Sequence, residues 1–349
     1  MDPSDSLLVR TEKLKNFVRK ERLQLIERKI RSQASNMDDD PTTLYEEMGR
    51  MFNARSIAQP KNPLPPKLDI KFARESLIRQ LPEEGLSADE AIRHVKGQIA
   101  LGFNSANDSS TYFGFVTGGI TPAARIADHL VTEYDQNVQV HLPEETISTE
   151  VEDRALSMLC ELFDLKPEHW GHRTFTTGAT ASNILGLACA RDYVLRKAAS
   201  IRDGVDLDKI NVGEYGLASS MQSAGIDRIQ MLATVPHSSI SKAASVVGLG
   251  RASVTLVGLE EAPHKFDMRK LETLIKTPKV ASIVVISASE VNTGLFATNG
   301  LEKVLDLRRL CDKYGAWIHI DAGRFINLTS IVSSSSPLCE LNCSNLQTL

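Results

Sequence analysis

The sequence lacks the patterns that mark several broad classes of protein. No uninterrupted apolar run approaches the roughly eighteen residues of a membrane-spanning helix, and the N-terminus is polar and acidic, unlike a signal peptide. The five cysteines are scattered without a CxxC pair, which does not suit a disulfide framework. We therefore expect a cytoplasmic protein with no membrane partner.

A strong excess of one charge is also absent. The formal net charge is −4, with charged residues making up 24% of the chain, so the sequence has no polyelectrolyte character. Nucleic acid is therefore not an expected partner. The 349 residues, of which 42% are hydrophobic, are enough for one large core with appendages.

Three regions of different composition divide the chain. Residues 1–69 read as a helical, charged segment followed by a proline-rich linker, QPKNPLPPKLD. Residues 70–325 carry the patterns of an α/β domain. Residues 326–349 contain four consecutive serines and no convincing helix or strand, so we expect this atypical tail to be disordered.

Apolar spacing within the α/β region predicts alternating helices and strands. A helix follows Thr149, which with Glu152 has the pattern of a capping box. Residues 173–176 then favour a strand, and a helix should run from about Ala181 to Ala199. Further strand–helix pairs follow, ending in the strand that delivers Asp321. Such alternation predicts a mostly parallel sheet flanked by helices on both faces.

A turn of small residues, TTGATAS at 176–182, precedes one of these helices. Such a turn directs backbone N–H groups and hydroxyls toward the helix N-terminus, where the helix dipole favours a phosphate. It has neither the lysine of a GxxxxGK[ST] loop nor the spacing of GxGxxG. Turns of this kind also occur without ligands, so the turn alone leaves both possibilities open.

His237 and Asp321 each follow a predicted strand. An imidazole at His237 could stack on a flat ring or transfer a proton, although a lone histidine there is more often a helix cap. Asp321 precedes the small residues Ala322 and Gly323, and by itself would be a turn residue. A metal site is less expected, because His319 and Asp321 point alike along a strand without a third ligand nearby.

A phosphate-binding turn, a flat-ring partner and a carboxylate at neighbouring strand ends together fit pyridoxal 5'-phosphate. The carboxylate would keep the pyridine nitrogen protonated, so that the ring can accept electrons. Two other stretches could line such a pocket. One is the loop holding Tyr112, Phe113 and Phe115, which could equally pack on the core, and the weaker candidate is His141.

From Leu81 to Gly323 the ordered motifs resemble the group II pyridoxal-phosphate decarboxylases, which include the aromatic-amino-acid, tyrosine and glutamate decarboxylases. The motifs are TYFGFVTGGITPAARIAD, TTGATASNILGLACAR, HSSISKA and HIDA. The resemblance implies the type I pyridoxal-phosphate enzyme fold in a homodimer. It also implies cofactor contacts from Thr117, Gly178, Ala179, Thr180, His237, whose ring would stack on the cofactor, and Asp321, which would pair with the pyridine nitrogen.

The sequence departs from that family after Asp321. The family places its Schiff-base lysine there, directly after a histidine, but the last lysine of this chain is Lys313. Lys242 lies in the stacking-histidine segment and is not assigned the role. Arg324 and Phe325 also replace the usual small residues. We expect that the chain is truncated or leaves the family's frame after about Gly323, and that its turnover is weak or absent.

The resemblance implies a pyridoxal-phosphate-dependent carboxy-lyase with a small-molecule amino-acid substrate, whose identity the sequence leaves open. One alternative is another fold-type I lyase or desulfurase. The other is a non-catalytic, cofactor-binding fragment.

Overall fold

The computed structural model describes residues 62–109, 112, 119–137, 139–290, 293–298 and 300–323. Thr117, Phe113, Phe115 and the tail at 326–349 therefore lie outside the described residues. The chain divides into two compact units, Met1–Gln136 and Asn137–Leu349.

The described part of the first unit is helical. Its α-helices are α1 (Lys67–Glu75), α2 (Ala88–His94) and α3 (Pro122–Tyr134), and α2 continues into a π-helical turn, Val95–Ile99. The predicted linker to residue 69 is too long, because α1 begins directly after Pro66 and runs through that position. Ser87 and Glu90, which have the sequence pattern of a capping box, form one at the start of α2.

The second unit contains the parallel sheet and the helices around it. Its helices are α4 (Ser148–Leu162), α5 (Ala179–Ser200), α6 (Val212–Ala224), α7 (Ser238–Val246), α8 (Met268–Ile275) and α9 (Gly300–Tyr314). Its strands are β1 (Arg228–Ala233), β2 (Val254–Leu256), β3 (Val280–Ser287) and β4 (Trp317–Asp321).

The four strands form one sheet in the order β2-β1-β3-β4, and every neighbouring pair is parallel. This confirms the predicted parallel α/β architecture. In the register of β3 and β4, Ser287 pairs with Asp321, so Asp321 stands at the carboxyl edge of the sheet. The carboxyl edge is where ligands bind in open α/β sheets.

Side chains of alternating strand positions fill two hydrophobic layers, as the period of a strand requires. On one face Met231 and Ile283 pack with α5 and α7, and on the other Leu232 and Val284 pack with α8 and α9. Seven of the eight residues of β3 are buried. The two-sided coverage holds the carboxyl edge of the sheet in place.

Three local predictions were wrong. Residues 173–176 form no strand, since a strand needs a hydrogen-bonded neighbour and none of the described strands pairs with them. Thr149 does not cap α4, because the helix already begins at Ser148 and its N-cap residue is Ile147; the Oγ1 of Thr149 lies 2.7 Å from Nδ1 of His141. Helix α5 begins at Ala179, two residues before the predicted start, so the small-residue turn supplies the first turn of the helix.

No helix in the described ranges has both the length and the apolar character needed to span a bilayer.

Candidate active site

The turn before α5 presents its backbone to an open space. Gly178 is the N-cap residue of this 22-residue helix, and a Cβ added at Gly178 would meet no atom within 4 Å. No side chain of the described residues caps the helix, so the first-turn N–H groups of Ala179 and Thr180 face outward. The hydroxyl groups of Thr176 and Ser182 form a hydrogen bond of 2.7 Å, which closes the turn below the helix end. The turn therefore has the donors and the space that a phosphate group needs.

His237 lies in the connection from β1 to α7 and both caps a helix and exposes its ring. Its Nδ1 accepts a hydrogen bond from the backbone N–H of Ser239 at 3.2 Å, which makes His237 the N-cap of α7. The ring itself is exposed at the carboxyl edge of the sheet. The helix-cap interpretation and the site interpretation are therefore compatible.

Asp321 ends β4, where the backbone N–H of Ala288 donates to its carbonyl oxygen at 3.0 Å. This bond extends the β3–β4 pairing past the end of the strand and fixes the direction of Asp321. Two residues after Asp321, Gly323 lies beside the small-residue turn at 176–182, since a Cβ at Gly323 would be 3.4 Å from Cβ of Ala179. The carboxylate and the α5 N-terminus are thus neighbours.

Asn183, in the first turns of α5, joins the predicted site residues and was not recognised from the sequence. Its Nδ2 donates to Oδ2 of Asp321 at 3.2 Å and to Oγ of Ser239 at 3.1 Å. The hydroxyl of Ser239 in turn lies 2.8 Å from Nδ1 of His237. Asn183 and Ser239 are both buried. A continuous chain of hydrogen bonds therefore runs from Asp321 to His237.

His319 completes this network from the middle of β4. Its Nε2 lies 2.8 Å from Oδ1 of Asn183, and the ring is buried against α5. As predicted from their spacing, His319 and Asp321 point to the same face of the sheet. Burial lowers the pKa of His319 from its ordinary value, an effect that the nearby charge of Asp321 partly offsets. His319 is therefore a neutral support for Asn183.

The remaining candidates lie apart from this network. His141 is exposed and bonded to Thr149, as described above. Lys242 is exposed on α7. Lys313 belongs to α9 and precedes β4, whose five residues span roughly 15 Å, so it lies toward the opposite edge of the sheet from Asp321. Lys313 therefore cannot replace a lysine that follows Asp321.

Comparison with known proteins matches residues 73–324 to a family model described as the pyridoxal-dependent decarboxylase conserved domain. The chain belongs to the pyridoxal-dependent decarboxylase family. Members of this family are carboxy-lyases, and the match covers the whole carboxyl edge described above. The resemblance noted from the sequence motifs is thereby confirmed.

Two curated relatives illustrate the range of this decarboxylase family. The L-2,4-diaminobutyrate decarboxylase of Acinetobacter baumannii is 31% identical over 153 residues, which are 42% of this chain and 28% of the relative. Tryptophan decarboxylase 1 of Oryza sativa subsp. japonica is 22% identical over 271 residues, which are 74% of this chain and 48% of the relative. This decarboxylase-family chain spans less than half the length of either relative.

Solved structures share the fold. The glutamate decarboxylase domain of the diaminobutyrate-pyruvate transaminase and L-2,4-diaminobutyrate decarboxylase from Vibrio parahaemolyticus superposes with a TM-score of 0.63 at 20% identity, covering 87% of this chain and 62% of that one. Oryza sativa TDC with PLP and tryptamine gives a TM-score of 0.59 at 19% identity, covering 82% and 58%. Both confirm the predicted pyridoxal-phosphate-enzyme fold.

The described residues of this decarboxylase-family chain fit pyridoxal phosphate. The unfilled space above Gly178 and the outward N–H groups of Ala179 and Thr180 suit the phosphate. Asp321 offers a carboxylate fixed by Asn183, and His237 offers an exposed ring. The site thus offers hydrogen-bond donors for an anionic phosphate at one end and a carboxylate acceptor for a protonated ring nitrogen at the other.

Proposed function

We propose that this chain binds pyridoxal phosphate and provides the cofactor-binding part of an amino-acid decarboxylase site. The observation that carries the proposal is the hydrogen-bond network through Asn183. It joins Asp321, Ser239 and His237 beside the open N-terminus of α5. Three sequence motifs, separated by more than fifty residues each, therefore converge at one edge of the sheet.

Each residue has a distinct task in this proposal. The N–H groups of Ala179 and Thr180 and the hydroxyl of Thr180 bind the phosphate beside Gly178. The ring of His237 packs on one face of the pyridine, and the carboxylate of Asp321 holds the proton on the pyridine nitrogen. When bound, pyridoxal phosphate accepts the electron pair that remains as the substrate's carboxyl group leaves. Thr117, which lies outside the described residues, remains a further expected contact.

The covalent anchor of the cofactor is a separate question. No lysine lies between Asp321 and Leu349 in the printed sequence. A polypeptide of these 349 residues alone should therefore hold pyridoxal phosphate reversibly. The second candidate function is a cofactor-binding protein without catalysis.

A binding experiment separates these functions. Pyridoxal phosphate should quench the intrinsic fluorescence of the purified chain saturably, and dialysis after borohydride treatment should remove the cofactor. Retention after borohydride would identify a covalent lysine and contradict reversible binding. Release of CO₂ from a panel of amino acids, including 2,4-diaminobutyrate, glutamate, aspartate and tryptophan, then distinguishes a decarboxylase from a non-catalytic protein. If the purified chain shows no saturable binding of pyridoxal phosphate, the proposed function is overturned.

The family resemblance bears on the assembly, and the cysteine pattern bears on the location. We propose a homodimer, which light scattering coupled to size-exclusion chromatography would show as twice the 38.4 kDa mass of the chain. We also propose a cytoplasmic location, supported by the scattered cysteines of the sequence. A stable monomer would contradict the first of these proposals.

A further inference from the structure

The hydrogen-bond network around Asn183 fixes where its protons lie. A carboxylate only accepts hydrogen bonds, so the side chain of Asn183 must direct its NH₂ group toward Asp321. Its Oδ1 therefore faces His319, whose Nε2 must carry a proton to donate at 2.8 Å. The buried His319 ring is neutral, in agreement with its lowered pKa. Asp321 thus determines the orientation of the amide.

The same reasoning extends from Asn183 to His237. The second N–H of Asn183 donates to Oγ of Ser239 at 3.1 Å, so the hydroxyl proton of Ser239 is free to point elsewhere. Its neighbour at 2.8 Å is Nδ1 of His237, which also accepts the backbone N–H of Ser239. Two donors face Nδ1, which leaves no place for a proton there. The neutral ring of His237 must therefore carry its proton on Nε2.

We propose that Asn183 and Ser239 are positioning residues that fix His237 as the Nε2–H tautomer and orient the Asp321 carboxylate at the same time. Neither residue needs to touch a ligand to do so, because both are buried behind the two groups that they hold. Asn183 is suited to the task, since its amide provides two donors on one side and an acceptor on the other. An aspartate in its place would direct an acceptor at Asp321.

A consequence for the site rests on the proposed function. Asp321 would keep a positive charge on the pyridine ring, and a protonated His237 stacked on that ring would repel it. A proton on Nδ1 would displace the backbone N–H of Ser239 from that nitrogen, and the Ser239 hydroxyl would then have to accept instead of donate. The tautomer held by this network directs the single N–H of the neutral His237 ring away from Ser239.

Imidazole ¹⁵N spectra of the full chain without cofactor test this inference directly. Histidine-labelled protein should give separate Nδ1 and Nε2 signals for His237, with the proton on Nε2, and a His237→Asn variant assigns them. Ser239→Ala removes one of the two donors, so the two signals should move toward each other as the tautomers exchange. Ser239→Thr, which keeps a hydroxyl, should restore the separation, whereas Ser245→Ala on the same helix should leave it unchanged.

Asn183→Ala removes more of the network, but it also leaves the buried N–H of His319 without its acceptor, which can prevent folding. The test therefore relies on the two Ser239 variants, Ser239→Ala and Ser239→Thr. A wild-type His237 with averaged signals, or with its proton on Nδ1, would overturn the positioning role. So would a Ser239→Ala spectrum identical to the wild type.

Cofactor titration separates this inference from the proposed function. Ser239→Ala should bind pyridoxal phosphate about 5- to 10-fold more weakly, as expected for one lost hydrogen bond, and Ser239→Thr should recover the affinity. If the wild type shows the Nε2–H tautomer but binds no pyridoxal phosphate, the proposed function fails and the positioning role stands. If it binds the cofactor with an averaged His237, the positioning role fails alone.

Discussion

The ring of His319 lies directly against the backbone of Gly186, so that a Cβ at residue 186 would be 2.7 Å from Cε1 of His319. A contact this short does not occur for real Cβ atoms, and the ring cannot turn away without breaking its hydrogen bond to Asn183. Glycine at this position therefore lets α5 approach β4 closely enough for Asn183 to reach Asp321.

Gly186→Ala should destabilise the protein by about 1–3 kcal/mol, as is typical of overpacking in a filled core. This direction is informative, because alanine in a helix otherwise stabilises by roughly 1 kcal/mol over glycine. Urea unfolding of the variant measures the change. Gly171→Ala is the control, since its Cβ would meet no atom within 4 Å. An unchanged or higher midpoint for Gly186→Ala would contradict the close packing of α5 on β4.

His319 should make the protein less stable in mild acid. Its burial lowers the pKa in the folded state, so the unfolded chain takes up a proton first as the pH falls below about 6.5. The stabilisation is therefore complete above that pH and is lost as the pH falls toward the pKa of the folded state. Unfolding free energies at pH 7.5 and pH 5.5 would measure the loss. In His319→Gln, which cannot titrate, the decrease should be smaller.

Asp321→Asn should weaken pyridoxal phosphate binding about 10-fold or more, because a charged hydrogen bond to the ring nitrogen contributes about 1.5–3 kcal/mol. The fold should persist, since the new amide can still offer an oxygen to Nδ2 of Asn183. Fluorescence titration gives the affinity and urea unfolding gives the stability. Asp208→Asn, at an exposed aspartate, is the matched control. Equal cofactor affinity in both variants would exclude Asp321 as the pyridine-nitrogen partner.

Two cysteines should differ sharply in reactivity. Cys311 is completely buried in α9, and burial raises the pKa of its thiol to about 12, so very little reactive thiolate forms at neutral pH. Cys189 is exposed on α5. Peptide mapping after iodoacetamide treatment should show rapid labelling of Cys189, with Cys311 labelled only after denaturation. Labelling of Cys311 in the native protein would show that the α9 layer opens easily.

Much of the architecture could be predicted from local patterns. The apolar run VASIVVIS is typical of a strand buried on both faces, and β3 is such a strand. Ser87 and Glu90 predicted a capping box that is present. Thr149 and Glu152 share the same pattern, but the helix begins at Ser148, one residue before Thr149. A local capping pattern fails where the helix starts ahead of the residue that should cap it.

Local patterns in the sequence were enough to predict three motifs of the site: the small-residue turn at Gly178, the histidine after β1 and the aspartate at the end of β4. Their order along the chain was enough to indicate the family. The connection of these motifs through Asn183 and Ser239 is visible only in the folded chain, because residues 183, 239 and 321 meet across three elements of the fold. An asparagine within a helix or a serine near its start has no distinctive pattern in a sequence. Their roles follow from the geometry of hydrogen bonds, which exists only once α5 has packed against β4.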